Sequence, residues 1–597
     1  MSRRHRPAVE PSLAPQLGRR RFVQGIAAAG IVAALPRHLA HAAEKTTKAG
    51  EPTILTGTHF DLTIERLTTN ITGKLAPVIA INGMHPGPTL RWRQGDDVTI
   101  AVTNKLTQSS SIHWHGIRTS SEMDGVPGLS FAGIAPGETF HYRIPVRQSG
   151  TYWYHSHSDF QEQLGHAGAL IIDPDSADPI AYDRDYVVML SDWSDENPDT
   201  IYANLLKGSG SDKSKSSAGP DLADVGASVY TFLINGKSPL ANWTALFEPG
   251  QRVRLRFING SAMTYFDVRI PGLKMSVVAA DGNAIVPIEV DEFRMATAEC
   301  YDVIVKPEAD RAYTIFVQPL SRGGYARGTL APKLGMSAEI PPMDPVPTRT
   351  MIEMGMPMGN ASPMSSMPAM PDMHSMHAAG NHGMRVMHHP FYITRPDIFG
   401  IEPLPQPGPH TPRFVPAPGT PVPVVRTESV PIKIGPSISS VVANPQPRLA
   451  DPGDGLRNNG RRVLAYADLR ALFPGVDGRP PSREIELHLT GNMSRYIWGF
   501  DGFAYPNAEP VSMKLGERLR IILINDTMME HPIHLHGLWG ELENGNGAYL
   551  PYKHTISVKP AEKLSYLVSA DAPGRWAHHC HLLYHLEAGM FRAVVVS

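Results

Sequence analysis

Short runs of alternating apolar and polar residues, broken by turn signals, recur along most of the chain. Asp97-Val98-Thr99-Ile100-Ala101-Val102 and Arg252-Val253-Arg254-Leu255-Arg256-Phe257 alternate, and Leu519-Arg520-Ile521-Ile522-Leu523 continues the style near the end. A period of two places successive side chains on opposite faces and predicts half-buried β-strands. Ala135-Pro136-Gly137-Glu138, Glu248-Pro249-Gly250-Gln251 and Leu515-Gly516-Glu517-Arg518 are turns, each next to such a strand. One turn-and-strand signature occurring three times predicts three copies of one unit. Roughly 140 residues per copy suits a sandwich better than one large β fold. The fold expected is therefore all-β, with sandwich domains over 50–177, 178–340 and 461–597.

Two stretches depart from this pattern. Within 1–42, Arg19, Arg20, Arg21 and Phe22 precede an apolar run from Gly25 to Leu35 and a small-x-small site at Ala40-His41-Ala42. Basic region, apolar region and cleavage site in that order predict a twin-arginine signal peptide, hence use of the twin-arginine export machinery and a periplasmic location. The apolar run is too short to span a bilayer, and no transmembrane anchor is expected elsewhere. The second stretch, 341–460, is predicted to be an insert or linker. Its 351–389 part holds eleven Met (Met351, Met354, Met356, Met358, Met364, Met367, Met370, Met373, Met376, Met384 and Met387) and five His, and 403–424 is Pro-rich and expected to be extended.

Composition narrows the function classes. Apolar residues make 42% and charged ones 19% of 597 residues, which excludes a disordered chain. Glycine (53) and proline (55) are abundant, as turn-rich β structure requires. A formal charge of −2 argues against nucleic-acid binding, and loss of residues 1–42 with seven Arg and one Glu would take it to −8, a balance suited to cations. Two cysteines build neither a disulfide framework nor a four-thiolate zinc site. The excess lies in His (26) and Met (25), whose imidazole and thioether groups are copper ligands.

The histidines are clustered. His113-Trp114-His115 and His155-Ser156-His157 lie in the first block; His531-Pro532-Ile533-His534-Leu535-His536 and His579-Cys580-His581, followed by His585 and Met590, lie in the last. On a strand, His-x-His presents both imidazoles on one face. In His-Cys-His the thiolate points the other way, so one dipeptide step links a thiolate site to a histidine site. Cys580, His585 and Met590 with one further His form the donor set of a blue-copper electron-transfer site, and the remaining eight His suffice for a cluster of several metals. A zinc hydrolase would want a carboxylate ligand and no flanked Cys.

These motifs resemble the four copper motifs of the multicopper oxidases, and the chain between them resembles the CopA-type periplasmic copper-resistance oxidases. The carrying stretches are 155–163, 254–264, 291–294, 525–537 and 576–591. The resemblance implies three cupredoxin-like Greek-key domains and four copper ions. It implies a type 1 copper on His531, Cys580 and His585 with Met590 axial, and a type 2 copper on His113 and His534. It implies a type 3 pair on His115, His155 and His581 and on His157, His536 and His579. Asp124 resembles the family's proton-delivering aspartate; read by itself, Asp124-Gly125 is equally a plain turn. Cys300 stands where a small polar residue is expected and is read as a buried thiol.

The reaction so implied takes single electrons at the type 1 copper, moves them through Cys580 and reduces O2 to water. Cu(I) prefers thioethers, which 351–389 supplies, and Asp526, Met528 and Met529 lie just before His531 as further Cu(I) contacts. Oxidation of periplasmic Cu(I), giving copper tolerance, is the main expectation, in contact with other periplasmic copper proteins. The alternatives are laccase-like oxidation of phenolic reductants and plain copper sequestration.

Overall fold

The computed structural model describes residues 53–207, 225, 228–349, 425–426 and 432–597. The expected signal segment 1–42 and the methionines from Met351 to Met387 lie outside the described residues. The alternating runs form six sheets that pack in pairs as three β-sandwiches. Strands between Ile54 and Asp173 make a four-stranded and a five-stranded sheet; those between Arg184 and Ala331 make sheets of six and five; those between Val425 and Val596 make sheets of seven and five. The predicted strands are present as Asp97–Asn104, Val253–Asn259 and Arg518–Asn525, the last two paired in parallel with Arg184–Trp193 and Arg483–Asn492.

Each sandwich closes over its own apolar core, as the inward faces of alternating strands require. Leu62, Ile64, Ile100 and Trp114 belong to the first, Phe257, Phe266 and Phe293 to the second, and Ile521, Trp498 and Trp576 to the third. Among the described residues no helix is long and apolar enough to cross a membrane.

Residues 432–482 run mostly without regular structure but are packed rather than loose. Val463 bridges to Glu292 and Ala471 to Ile285 on the middle sandwich, and Gln446 bridges to Glu562 on the third. Arg461 binds Glu292 at 2.7 Å, and Leu464 and Leu469 enter the middle core. The Pro- and Gly-rich composition signals loop and gives no hint of these tertiary attachments.

Candidate metal centres

Strand register brings the histidine motifs face to face. His113 pairs with His155 across one pair of antiparallel strands, and His534 pairs with His579 across another. His113, His115, His155, His157, His534, His536, His579 and His581 gather in one site between the first and third sandwiches, each 7% exposed or less. His113 and His536 rings lie 3.9 Å apart, His115 and His534 rings 3.8 Å.

Five of these rings are held through Nδ1 and turn Nε2 inward. His113 Nδ1 faces the Asp124 carbonyl at 2.6 Å and His534 Nδ1 the His554 carbonyl at 2.6 Å. His536 Nδ1 faces Asp124 Oδ2 at 2.8 Å, His579 Nδ1 the Cys580 carbonyl at 2.9 Å and His155 Nδ1 Glu162 Oε2 at 2.9 Å. Oxygen acceptors place the proton on Nδ1 and leave an Nε2 lone pair facing the centre. There His536 Nε2 meets His579 Nε2 at 2.9 Å and His157 Nε2 lies 3.4 Å from His579 Nε2, while His113, His534 and His581 Nε2 have no hydrogen-bond partner. His115 is reversed, with Nδ1 3.4 Å from His155 Nε2 and Nε2 turned outward.

Converging lone pairs in a dry site are repulsive unless a cation lies between them, and an outward nitrogen fixed by oxygen is what metal-bound imidazole shows. Burial, helped by neighbouring imidazoles, holds His113, His115, His157, His534, His536 and His581 far below the ordinary imidazole range. Burial takes His579 down to about 3. The rings are therefore neutral, the form that binds metal.

The second donor set lies behind the first. His531 Nδ1 and His585 Nδ1 are 3.2 Å apart, 3.6 and 3.8 Å from Cys580 Sγ, and none of these residues is exposed. Met590 is also fully buried, and its carbonyl accepts from the Cys580 N–H at 3.0 Å. Thr527 Oγ1 holds His531 Nε2 at 2.6 Å. Thiolate, two imidazoles and a thioether match copper better than zinc or a hard cation. His531, Cys580 and His585 form one group whose donor atoms lie within 4.8 Å of one another, and His157, His536 and His579 form another.

Comparison with known proteins decides the family. Multicopper oxidase models match residues 63–177, 184–334 and 478–597. The chain is 48% identical to copper resistance protein A of Escherichia coli, over 97% of this chain and 99% of that one.

The chain belongs to the multicopper oxidase family.

The copper resistance protein A homolog of Pseudomonas syringae is also 48% identical, over 97% and 99% of the two chains. The fold is similar to that of a laccase from Botrytis aclada, with a TM-score of 0.60 and 22% identity over 92% of this chain and 88% of that one. As a multicopper oxidase the chain is a copper-dependent oxidoreductase, and the two donor sets are where copper chemistry fits.

Asp124 lies beside the cluster, 1% exposed, bonded to His536 and 3.5 Å from His113 Nδ1 through its other oxygen. Burial pushes its carboxyl well above the ordinary range. Gly125 beside it is required by packing, since a Cβ there would sit 1.9 Å from the Ile112 carbonyl oxygen. Cys300 is a buried thiol with no disulfide to Cys580.

Asp526 departs from expectation. Its carboxylate is 1% exposed, faces His488 Nδ1 at 2.6 Å and accepts from the Val442 N–H at 2.9 Å, so it is not presented to an incoming ion. Met529 is buried in the third core, whereas Met528 is half-buried.

Sequence reasoning missed three residues. Glu162 holds His155 and lies 3.9 Å from His581 Nδ1. Trp498 stacks on His585 with ring centroids 4.0 Å apart. His554 enters the cluster as an additional imidazole, 3.1 Å from His115 Nε2. None belongs to a His-x-His pair; only the position of Glu162 five residues after His157 hinted at a role. A small cleft lined by His157, His581, Glu162, Asp159, Leu586 and Glu587 lies against the cluster.

Proposed function

We propose that the chain is an exported cuprous oxidase of copper resistance, holding four copper ions. It withdraws electrons from Cu(I) and reduces O2 to water. The set His531, Cys580, His585 and Met590 would hold the type 1 copper and His113 with His534 the type 2. His115, His155 and His581, with His157, His536 and His579, would hold the type 3 pair. Copper in these sites supplies one-electron redox chemistry, four electrons being needed for each O2 converted to two waters. The relatives named copper resistance protein A support the tolerance role, and Ala40-His41-Ala42 after the twin-arginine run supports export to the periplasm.

The chain's own residues divide the work. Cys580 is joined by single peptide bonds to His579 and His581, the shortest covalent route between the two donor sets. Asp124 orients His536 and is placed to hold a proton beside the cluster; Glu162 does the same for His155. A small cleft at Asp159 and Glu587 lies beside His157 and His581 on this side of the cluster.

One observation favours Cu(I) over a phenol. His531 and His585 are wholly buried, and Trp498 with Tyr496 covers His585, so a bulky ring has no imidazole edge to touch. The chain on either side of the methionine-rich stretch, by contrast, is fastened to the loop before His531. Arg349 donates to the Met528 carbonyl at 2.6 Å, and Ser440 donates to the Asp526 carbonyl at 2.6 Å. Met351 follows Arg349 by two residues in the sequence. Thioether ligands there suit a soft monovalent ion.

Deleting 351–389 tests this reading. Cu(I) oxidation is expected to slow more than oxidation of a phenol; equal slowing of both would remove the Cu(I)-specific role.

A further inference from the structure

The middle sandwich carries none of the histidine motifs, yet it reaches the cluster. Its strands Met275–Ala280 and Asn283–Val290 are joined through Asp281 and Gly282, at φ 45° and 78°. Two successive left-handed residues make a tight hairpin turn for which Asp-Gly is a favoured pair. The tip is wedged between the outer sandwiches. A Cβ on Gly282 would fall 2.2 Å from Tyr152 Cζ, and one on Gly150 would fall 2.2 Å from the Gly282 carbonyl oxygen.

From this tip Asp281 grips the third sandwich. Its Oδ1 accepts from the Cys300 N–H at 3.0 Å, its Oδ2 accepts from the Thr555 N–H at 3.2 Å, and Lys553 Nζ lies 2.9 Å from Oδ2. Lys553 is shared with Glu299 at 2.9 Å. Asp281, Glu299, Lys553, His554 and Thr555 are each 2% exposed or less, so two carboxylates and one ammonium form a dry, paired lock.

Between Lys553 and Thr555 stands His554, and this short stretch holds two cluster histidines. His115 Nε2 lies 3.1 Å from His554 Nδ1 and 3.2 Å from Thr555 Oγ1, while the His554 carbonyl accepts from His534 Nδ1 at 2.6 Å. Gly116 allows the approach, because a Cβ there would fall 2.5 Å from His554 Cδ2.

We propose that Asp281 and Lys553 act through His554 and Thr555 as positioning residues for His115 and His534, so that the middle sandwich sets the ligand geometry of the histidine cluster. The proposal rests on the reading of that cluster as a copper site. An outward N–H fixed by a good acceptor holds the ring's orientation and raises the basicity of the nitrogen facing the metal. Three parts of one chain are thereby tied at one metal centre, and His115 is correctly aimed only when they are docked.

The test compares the full-length, copper-loaded chain with Asp281→Asn, which removes the carboxylate that holds Lys553 and the Thr555 N–H, and with His554→Phe/Thr555→Val, which removes both acceptors from His115 and leaves the Asp281–Lys553–Glu299 lock in place. His554→Asn is the rescue variant, since its amide oxygen can accept from His115. Copper per chain, chelator competition and the electron paramagnetic resonance spectrum of the cluster are read against the absorbance of the thiolate-bound copper. The double variant is expected to bind cluster copper about 10- to 100-fold more weakly, with a changed cluster spectrum and unchanged thiolate absorbance. His554→Asn is expected to restore most of both. Asp281→Asn is expected to change the cluster spectrum and weaken cluster copper in the same direction. Equal loss at the two sites, or wild-type cluster affinity and spectrum in either Asp281→Asn or the double variant, overturns the proposal. A wild-type chain that takes up no cluster copper overturns the functional reading itself, and this inference with it.

Discussion

His536 Nε2 and His579 Nε2 face each other at 2.9 Å, while the Nδ1 atoms of the same rings are held by Asp124 and by the Cys580 carbonyl. Neither inward nitrogen carries a proton when its partner nitrogen donates to oxygen, so the contact calls for a cation between the rings. The same arrangement links the two donor sets, because Cys580 is the next residue on the strand and its thiolate turns to the opposite face.

Cys580→Ser is expected to abolish the thiolate-to-copper absorbance and the oxidase activity, with loss of about one copper per chain, because serine is a poor copper ligand. Copper analysis and O2 uptake check it. A strain carrying this variant that keeps full copper tolerance would favour sequestration by thioethers over catalysis.

Trp498→Ala is expected to open His585 to larger reductants. Removing a buried tryptophan destabilises by about 3–5 kcal/mol, which denaturant unfolding would register. The informative readout is the ratio of phenol to Cu(I) turnover, expected to rise because the stacked ring no longer screens the imidazole. An unchanged ratio would mean that Trp498 is not the barrier.

The metal-free chain is expected to lose stability as pH falls. Burial lowers His166 and His578 to about 3 and His554 to about 4, from an ordinary value of 6.5. Below 6.5 the unfolded chain binds protons that these folded imidazoles refuse, so stability rises with pH across the window from about 4 to 6.5. Each such group contributes about 1.4 kcal/mol per pH unit at most. Denaturant midpoints measured from pH 7 to 5 check the sign: a midpoint that rises on acidification contradicts it.

Much of this architecture was legible because it is local. Strand alternation at Asp97–Val102 and Arg252–Phe257 follows from which face is buried, and His-x-His spacing follows from the pleat, so both are written in adjacent residues. His554, Asp281 and Glu162 were not legible for the opposite reason. Asp281 and His554 are 273 positions apart in number and meet only through sandwich packing, and neither stands in a repeated motif. Asp526 was misread because Met528 and Met529 follow closely in sequence, whereas its partners in space are His488 and Val442. Proximity in sequence to His531 said nothing about which way that carboxylate turned.

Cu(I), and not a bulky organic reductant, is the proposed electron source at the buried set of His531, Cys580, His585 and Met590. Steady-state O2 consumption by the copper-loaded chain, with Cu(I) and then a panel of phenols as reductant, tests it most directly. Cu(I) is predicted to give kcat/KM well above that of every phenol, with four electrons taken per O2. A phenol oxidised with higher kcat/KM than Cu(I) would overturn Cu(I) as the preferred reductant.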